Sequence, residues 1–360
     1  MSEIKIKRYH PGKYIQQYID DLGMSNKEFS FRSGISERTL SDLLSGKGNI
    51  TFAIANNLAS FFDTSINYWT NLQNDYDSYL SFLKIQDEIN EDYDLLKGFK
   101  KYLIENGFIE KEDKKDVVVE KVRKVLSINR ISSLNTNSFV VSYKEQKIIK
   151  NNDTFAQNFW VTYALTEARK KETPIFNKQL LLNNISALRT LTTKEPKMFV
   201  PELTRILTNC GVSFVLLPYL TKSNIYGVTK WLPNGKVMLA MSNRGNRADV
   251  FWFTFFHELA HVLLEHKRYF LLQGDNIEDT HADYLAANML IGQTEWKRFV
   301  DKNHFDVNSI KAFAKQEQIL PMIITGRLEK EQKIDYGHIY QYFYKTYDNL
   351  FAYNNLKKDV

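Results

Sequence analysis

A single cysteine, Cys210, occurs in the whole chain. That excludes an internal disulfide and any zinc site built from several thiolates, so a metal held here needs imidazole and carboxylate ligands. A reducing compartment fits this best. No stretch approaches the roughly eighteen uninterrupted apolar residues of a membrane span, and the amino terminus, MSEIKIKRYHPGKYI, lacks the apolar core of a secretion signal. Neither export nor membrane insertion is encoded, and the expected location is the cytoplasm. A strong excess of one charge is missing too. The 48 Lys and Arg against 42 Asp and Glu leave a net charge of +6, which permits nucleic-acid binding without demonstrating it. Internal repeats and low-complexity tracts are also absent.

What is present is enough apolar material, 43% of 360 residues, to bury a sizeable core in two or three domains. From Pro11 the sequence reads as five short helices. Lys13 to Leu22 stops at Gly23. Ser25-Asn26-Lys27-Glu28 is a Ser-x-x-Glu capping box opening a helix that ends at Gly34. Ser36 caps the next, which stops at Gly46, and two more follow Thr51 and Ser65. The second and third helices, joined by RSGIS, form a helix-turn-helix pattern. In the third, Ile35, Leu40, Leu43 and Leu44 can face a core, while Glu37, Arg38, Ser41 and Asp42 face outward near the end that enters the major groove in such motifs. Residues 1–75 carry eight basic against eight acidic side chains. DNA binding then depends on local placement of Arg38, Lys27 and Lys47 more than on counterion release. Pairing as a homodimer is the usual way to read a pseudo-palindromic operator.

HPGKYIQQYIDDLGMSNKEFSFRSGISERTLSDLLSGKGNIT, followed by INYWTNLQNDYD, resembles the HigA-type antitoxins of the Xre/Cro repressor family. The resemblance implies operator DNA as a partner and a phosphate contact at the start of the second helix. This chain has Asn26 there, where the family usually has Gln.

The middle of the chain is less telling. IEKEDKKDVVVEKVRKVL suits a solvated helix, ISSLNTNSF a loop, and KEQKIIKNND a polar linker. From 156 to 210 helical spacing returns. After it VSFVLLP, YGVTKW and KVMLAMS read as short strands, with Pro233-Asn234-Gly235 as a turn, giving a small, largely antiparallel sheet. A helix from about Arg247 to His266 is predicted next.

That helix contains FWFTFFHELAHVLLEH. Residues four apart share a helix face, so His257 and His261 can aim imidazole nitrogens at one Zn2+, with Glu258 beside them near a metal-bound water. Placed among Phe, Trp, Val and Leu, such polar groups cost several kcal/mol each when unpaired, a cost that a bound metal removes. His266 does not serve as third ligand: five residues after His261 it lies roughly 140° around a continuing helix. The better candidates lie in IEDTHADYLAANMLI. Asp279 leads as third ligand, with His281 and Glu278 as alternatives, and Asp283, one turn on, is placed to accept the second N–H of a liganding histidine. Arg244 and Arg327 could orient a peptide carbonyl but read more simply as structural ion pairs. The aromatic-rich YGHIYQYFYKTYDNLFAYNNL reads as core packing or a dimer contact before a stacking surface.

GVTKWLPNGKVMLAMSNRGNRADVFWFTFFHELAHVLLEH, together with HADYLAANMLI, resembles the ImmA/IrrE family of metallopeptidases, in particular the branch fused behind HigA-like domains. The resemblance implies that His257, His261 and Asp279 bind Zn2+ and that Glu258 is the general base. The family's usual third ligand is Glu, so Asp279 is one methylene shorter. It also implies a protein substrate such as a repressor.

The expected architecture is α+β and predominantly helical. A five-helix helix-turn-helix domain (1–75) is followed by a helical linker region (76–155). A zincin-like metallopeptidase domain with a small, mainly antiparallel sheet (156–300) and a C-terminal helical extension packed on it (301–360) complete the chain. The expected function is a bacterial or phage regulator coupling DNA binding to a zinc-dependent endopeptidase. The rival is a HigA-like repressor or antitoxin whose peptidase-like domain only senses or docks.

Overall fold

The computed structural model describes residues 7–135, 154–266 and 277–337, with 339, 341 and 343 beyond them; the side chains of Asn234, Ile277 and Glu278 lie outside that description. The chain divides into two compact units, Met1–Asp94 and Leu95–Val360.

The first unit is helical: α1 (Pro11–Asp21), α2 (Asn26–Ser33), α3 (Glu37–Leu44), α4 (Phe52–Phe62) and the start of α5 (Ile66–Leu96). Each entry is set by a local polar group. The hydroxyls of Ser25, Ser36 and Thr51 accept from the backbone N–H three residues on, and Ser65 does the same for Tyr68. Gly34 ends α2 at φ 72°, a left-handed conformation that costs glycine least, and so sets the turn into α3. Ile15, Ile19, Phe29, Leu40, Leu43, Leu58 and Trp69 are buried together as this unit's core. One expectation fails on length. The fifth helix is not short but runs 31 residues, past residue 75.

The second unit opens with α6 (Lys100–Glu105) and α7 (Lys115–Leu126), then α8 (Thr154–Lys170), α9 (Lys178–Thr190) and α10 (Pro196–Asn209). Helix α7 is charged but not merely solvated, because Val118, Val119, Val122 and Leu126 form a buried stripe on it. Residues 131–135 of the expected loop make a 3-10 turn, and the polar linker KEQKIIKNND lies outside the described residues.

Three strands follow: β1 (Val212–Leu217), β2 (Gly227–Trp231) and β3 (Val237–Ser242), in the order β1-β3-β2. The sheet is mixed and not largely antiparallel. The turn at Pro233–Gly235 makes β2 and β3 an antiparallel hairpin, as expected, but β1 pairs with the far edge of β3 in parallel, Val212 against Val237. The central strand β3 is buried at all six residues, and among the described residues β2 is an edge. Helix α11 (Ala248–Leu263) lies against β2 and β3; it ends sooner than expected, at Leu263. Its other flanks carry α12 (Ile277–Leu290) and α15 (Pro321–Lys330), with α13 (Gln293–Asp301) and α14 (Val307–Glu317) between these in sequence. Ala282 and Ala286, both fully buried, keep α12 close to α11. Most of the aromatic C-terminal stretch lies outside the described residues. Among the described residues no helix is long and apolar enough to cross a membrane.

Candidate metal centre and helix-turn-helix face

In the first unit the side chains singled out for DNA all face solvent: Asn26 and Lys27 on α2, Glu37, Arg38, Ser41 and Asp42 on α3, and Lys47 just after it. The opposite face of α3 supplies Leu40 and Leu43 to the core, with Leu44 half-buried. Ser36 fixes where α3 begins by accepting from Thr39 N at 3.2 Å. Glu28, the other arm of the capping box, pairs with Arg32 at 3.2 Å. His10 escaped the sequence reading. Its Nδ1 accepts from Gly12 N at 3.0 Å and caps α1, a role for which the following Pro-Gly was the available signal.

In the second unit α11 buries an unusual set of polar groups. His257, Glu258 and His261 are each no more than 2% exposed, among Phe255, Phe256, Leu259 and Val262. Across from them Asp279 on α12 is buried as well. His257, His261 and Asp279 each offer one ligand atom, and these atoms lie within 4.8 Å of one another. The two Nε2 atoms are 3.0 Å apart, and His261 Nε2 is 3.4 Å from Asp279 Oδ1. Two nitrogens bound to a tetrahedral zinc at the usual 2.0–2.1 Å would be about 3.3 Å apart. The donor set and its spacing therefore fit a zinc ion, although no ion is part of the structure.

Each imidazole has a partner for its remaining nitrogen. Asp283 Oδ1 lies 2.7 Å from His257 Nδ1, and its other oxygen meets Lys330 at 3.2 Å. Lys330 also sits over the Phe253 ring at 4.5 Å. A proton held on Nδ1 by Asp283 leaves the Nε2 lone pair of His257 facing the cluster. Burial works to lower the pKa of His257, but the hydrogen bond it donates to Asp283 and the nearby carboxylates outweigh it and the net shift is upward. Burial likewise pushes Asp283 up, yet His257 and Lys330 prevail and hold it below the usual carboxylate range.

Glu258 projects toward the sheet. Its Cγ packs against Gly227, where an added Cβ would come within 2.9 Å, so β2 can pass this close only as glycine. The Thr229 hydroxyl donates to the Glu258 carbonyl at 3.2 Å and pins β2 to α11. Among the described residues the buried Glu258 Oε2 atom has no hydrogen-bond partner. Burial, reinforced by Asp279, raises its pKa against the pull of the two histidines. The importance of Gly227 was not readable from YGVTKW, since it depends on which helix crosses the strand.

The alternatives to Asp279 fare differently. His281 is exposed, on another face of α12, and is not among the clustered residues; the Glu278 side chain lies outside those described. Arg327 forms an ion pair with Glu331 at 2.9 Å and stacks on Trp296, which makes it structural. Arg244 is structural by other contacts: it donates to the Asn224 carbonyl and stacks on Tyr226. His266, expected on the surface, instead meets His261, Nδ1 to Nδ1, at 2.7 Å.

The model of the helix-turn-helix family HTH_3 matches residues 15–69. Over 64 residues, 18% of this chain, the sequence is 39% identical to the uncharacterised HTH-type transcriptional regulator YddM of Escherichia coli K12, covering 68% of that protein. Through this segment the chain belongs to the helix-turn-helix family. A solved structure from Nostoc punctiforme, described as a proposed antidote protein of a plasmid maintenance system, is 27% identical over 24% of this chain and 94% of its own, with a TM-score of 0.24. The residues matched by the family model lie within the first unit.

Proposed function

We propose that the chain joins a DNA-binding regulator unit to a zinc-dependent endopeptidase unit that cuts a protein partner, a repressor being the first candidate. For the first unit the support is its family membership together with a solvent-facing recognition surface at the start of α3. Groove entry by that end of α3 makes Arg38 and Ser41 base-edge candidates and Lys27 and Lys47 phosphate candidates.

For the second unit one observation carries the reading: two imidazoles and a carboxylate converge in an apolar interior, with the buried carboxyl group of Glu258 beside them. Buried polar groups arranged this way are costly unless something binds them. A zinc ion held by His257, His261 and Asp279 would supply Lewis-acid polarisation of a carbonyl and acidification of water. Glu258 Oε2 would take a proton from the attacking water and return it to the leaving nitrogen. The edge strand β2, against which Glu258 packs, offers backbone groups to an extended peptide.

The test pairs metal analysis of the purified chain with incubation against repressors from neighbouring genes. One zinc per chain and cleavage that disappears in Glu258→Gln are the expected results. Zinc retained with no cleavage of any partner would favour the rival reading, a regulator whose second unit senses or docks; cleavage at full rate by Glu258→Gln would remove Glu258 as the base.

A further inference from the structure

On a continuing helix His266 would lie roughly 140° around from His261. The helix does not continue. Leu264 closes α11 and Glu265 turns left-handed at φ 55°, after which His266 N donates to the His261 carbonyl at 3.0 Å and Glu265 N to the Val262 carbonyl at 3.1 Å. That pair of bonds is a Schellman ending, a motif that sets the second residue beyond the helix cap against the residue three from the helix end. Here those two residues are His266 and His261. Their rings lie 5.0 Å apart and their Nδ1 atoms 2.7 Å apart.

We infer that His266 is a positioning residue, whose Nδ1 accepts the Nδ1–H of His261 and so holds that imidazole with Nε2 facing His257 and Asp279. This rests on the zinc reading above. Two Nδ1 atoms at 2.7 Å require one donor and one acceptor. A ligating Nε2 must be free of a proton, which puts the proton of neutral His261 on Nδ1 and makes His266 the acceptor. The cluster is then supported from two sides by different chemistry. Asp283 reaches His257 from α12, whereas the support for His261 comes from the chain's own helix ending.

Two substitutions in the full-length chain separate orientation from mere packing, and both keep the backbone cap. In His266→Phe the ring remains but cannot accept a hydrogen bond. In His266→Asn the side-chain Oδ1 can occupy the position of Nδ1 and accept it. Zinc affinity is read by competition with a chromophoric chelator, and ligand geometry by the visible spectrum of the Co2+ form. Loss of an outer hydrogen-bond partner of this kind weakens metal binding about 10- to 100-fold, so His266→Phe should fall in that range with an altered Co2+ spectrum. His266→Asn should recover most of the loss. Wild-type affinity in His266→Phe, or an Asn variant as weak as the Phe variant, overturns the role of His266 while leaving the zinc reading standing. Wild-type chain that takes up no zinc overturns both.

Discussion

The two units place their chemically important side chains on opposite sides of the water boundary. In the first unit Lys27, Glu37, Arg38, Ser41, Asp42 and Lys47 are solvated, and the core beneath them is hydrocarbon. In the second, His257, Glu258, His261 and Asp279 are all buried. A solvated polar face costs little to maintain and acts only when a partner arrives. A buried polar cluster is expensive until it is satisfied. The contrast extends to how each site is encoded: helix entries of the first unit are decided by residues three apart, while the cluster of the second depends on α11, α12 and β2 meeting.

The largest test of this contrast is metal. Zinc at a thousand times its Kd should stabilise residues 95–360 by about 4 kcal/mol, and His261→Ala should abolish the gain. Hydrogen exchange followed separately in α11 and α3 reads both units at once. Equal protection in both, or protection that survives in the variant, would dissolve the distinction.

Next in size is the hydrocarbon core of the first unit. Leu43 is fully buried on α3, and Leu43→Ala should cost about 3 kcal/mol, in the middle of the range for large-to-small core changes. Denaturant midpoints of α3 exchange would show the loss, while zinc stoichiometry stays at the wild-type value. A fall in zinc content would mean that the two units do not stand apart energetically.

How much of this was legible follows the same division. Ser25, Ser36, Thr51 and Gly34 marked the helix-turn-helix because capping and left-handed turns are short-range effects. The spacing of His257 and His261 was equally local. The parallel placement of β1 was not: the hairpin at Pro233–Gly235 was readable, but nothing in VSFVLL states that it will pass β2 and pair with the far side of β3. His266 was misread for a different reason. The angle around an ideal helix was correct, yet a left-handed Glu265, a residue type with no preference for that conformation, ends the helix before the angle applies.

A smaller effect concerns orientation within the buried cluster. Asp283→Asn keeps the volume and removes the negative charge facing His257 Nδ1 and Lys330. Zinc binding should weaken about 10- to 100-fold, with DNA affinity unchanged. Lys330→Ala should weaken it less, since exposed ion pairs contribute about 1 kcal/mol or less. Equal losses in the two variants would mean that Asp283 orients His257 only while Lys330 holds it.

The smallest effect belongs to the first unit and probes whether its encoding is as local as it reads. Ser36 accepts from Thr39 N and also lies 2.8 Å from the Thr39 hydroxyl, both within one turn of α3. Ser36→Ala removes the acceptor and should cost about 1 kcal/mol; Ser36→Gly, which leaves that N–H open to water, should cost only a few tenths. Ser36→Asp should restore the bond and add a favourable charge at the helix N-terminus. The order Asp and Ser above Gly above Ala, read from exchange of the α3 amides, is the signature of a cap acting through its own helix. If all three variants lost the same amount, Ser36 would be held by contacts from elsewhere in the unit, and the start of the recognition helix would be encoded over the same long range as the buried cluster of His257, His261 and Asp279.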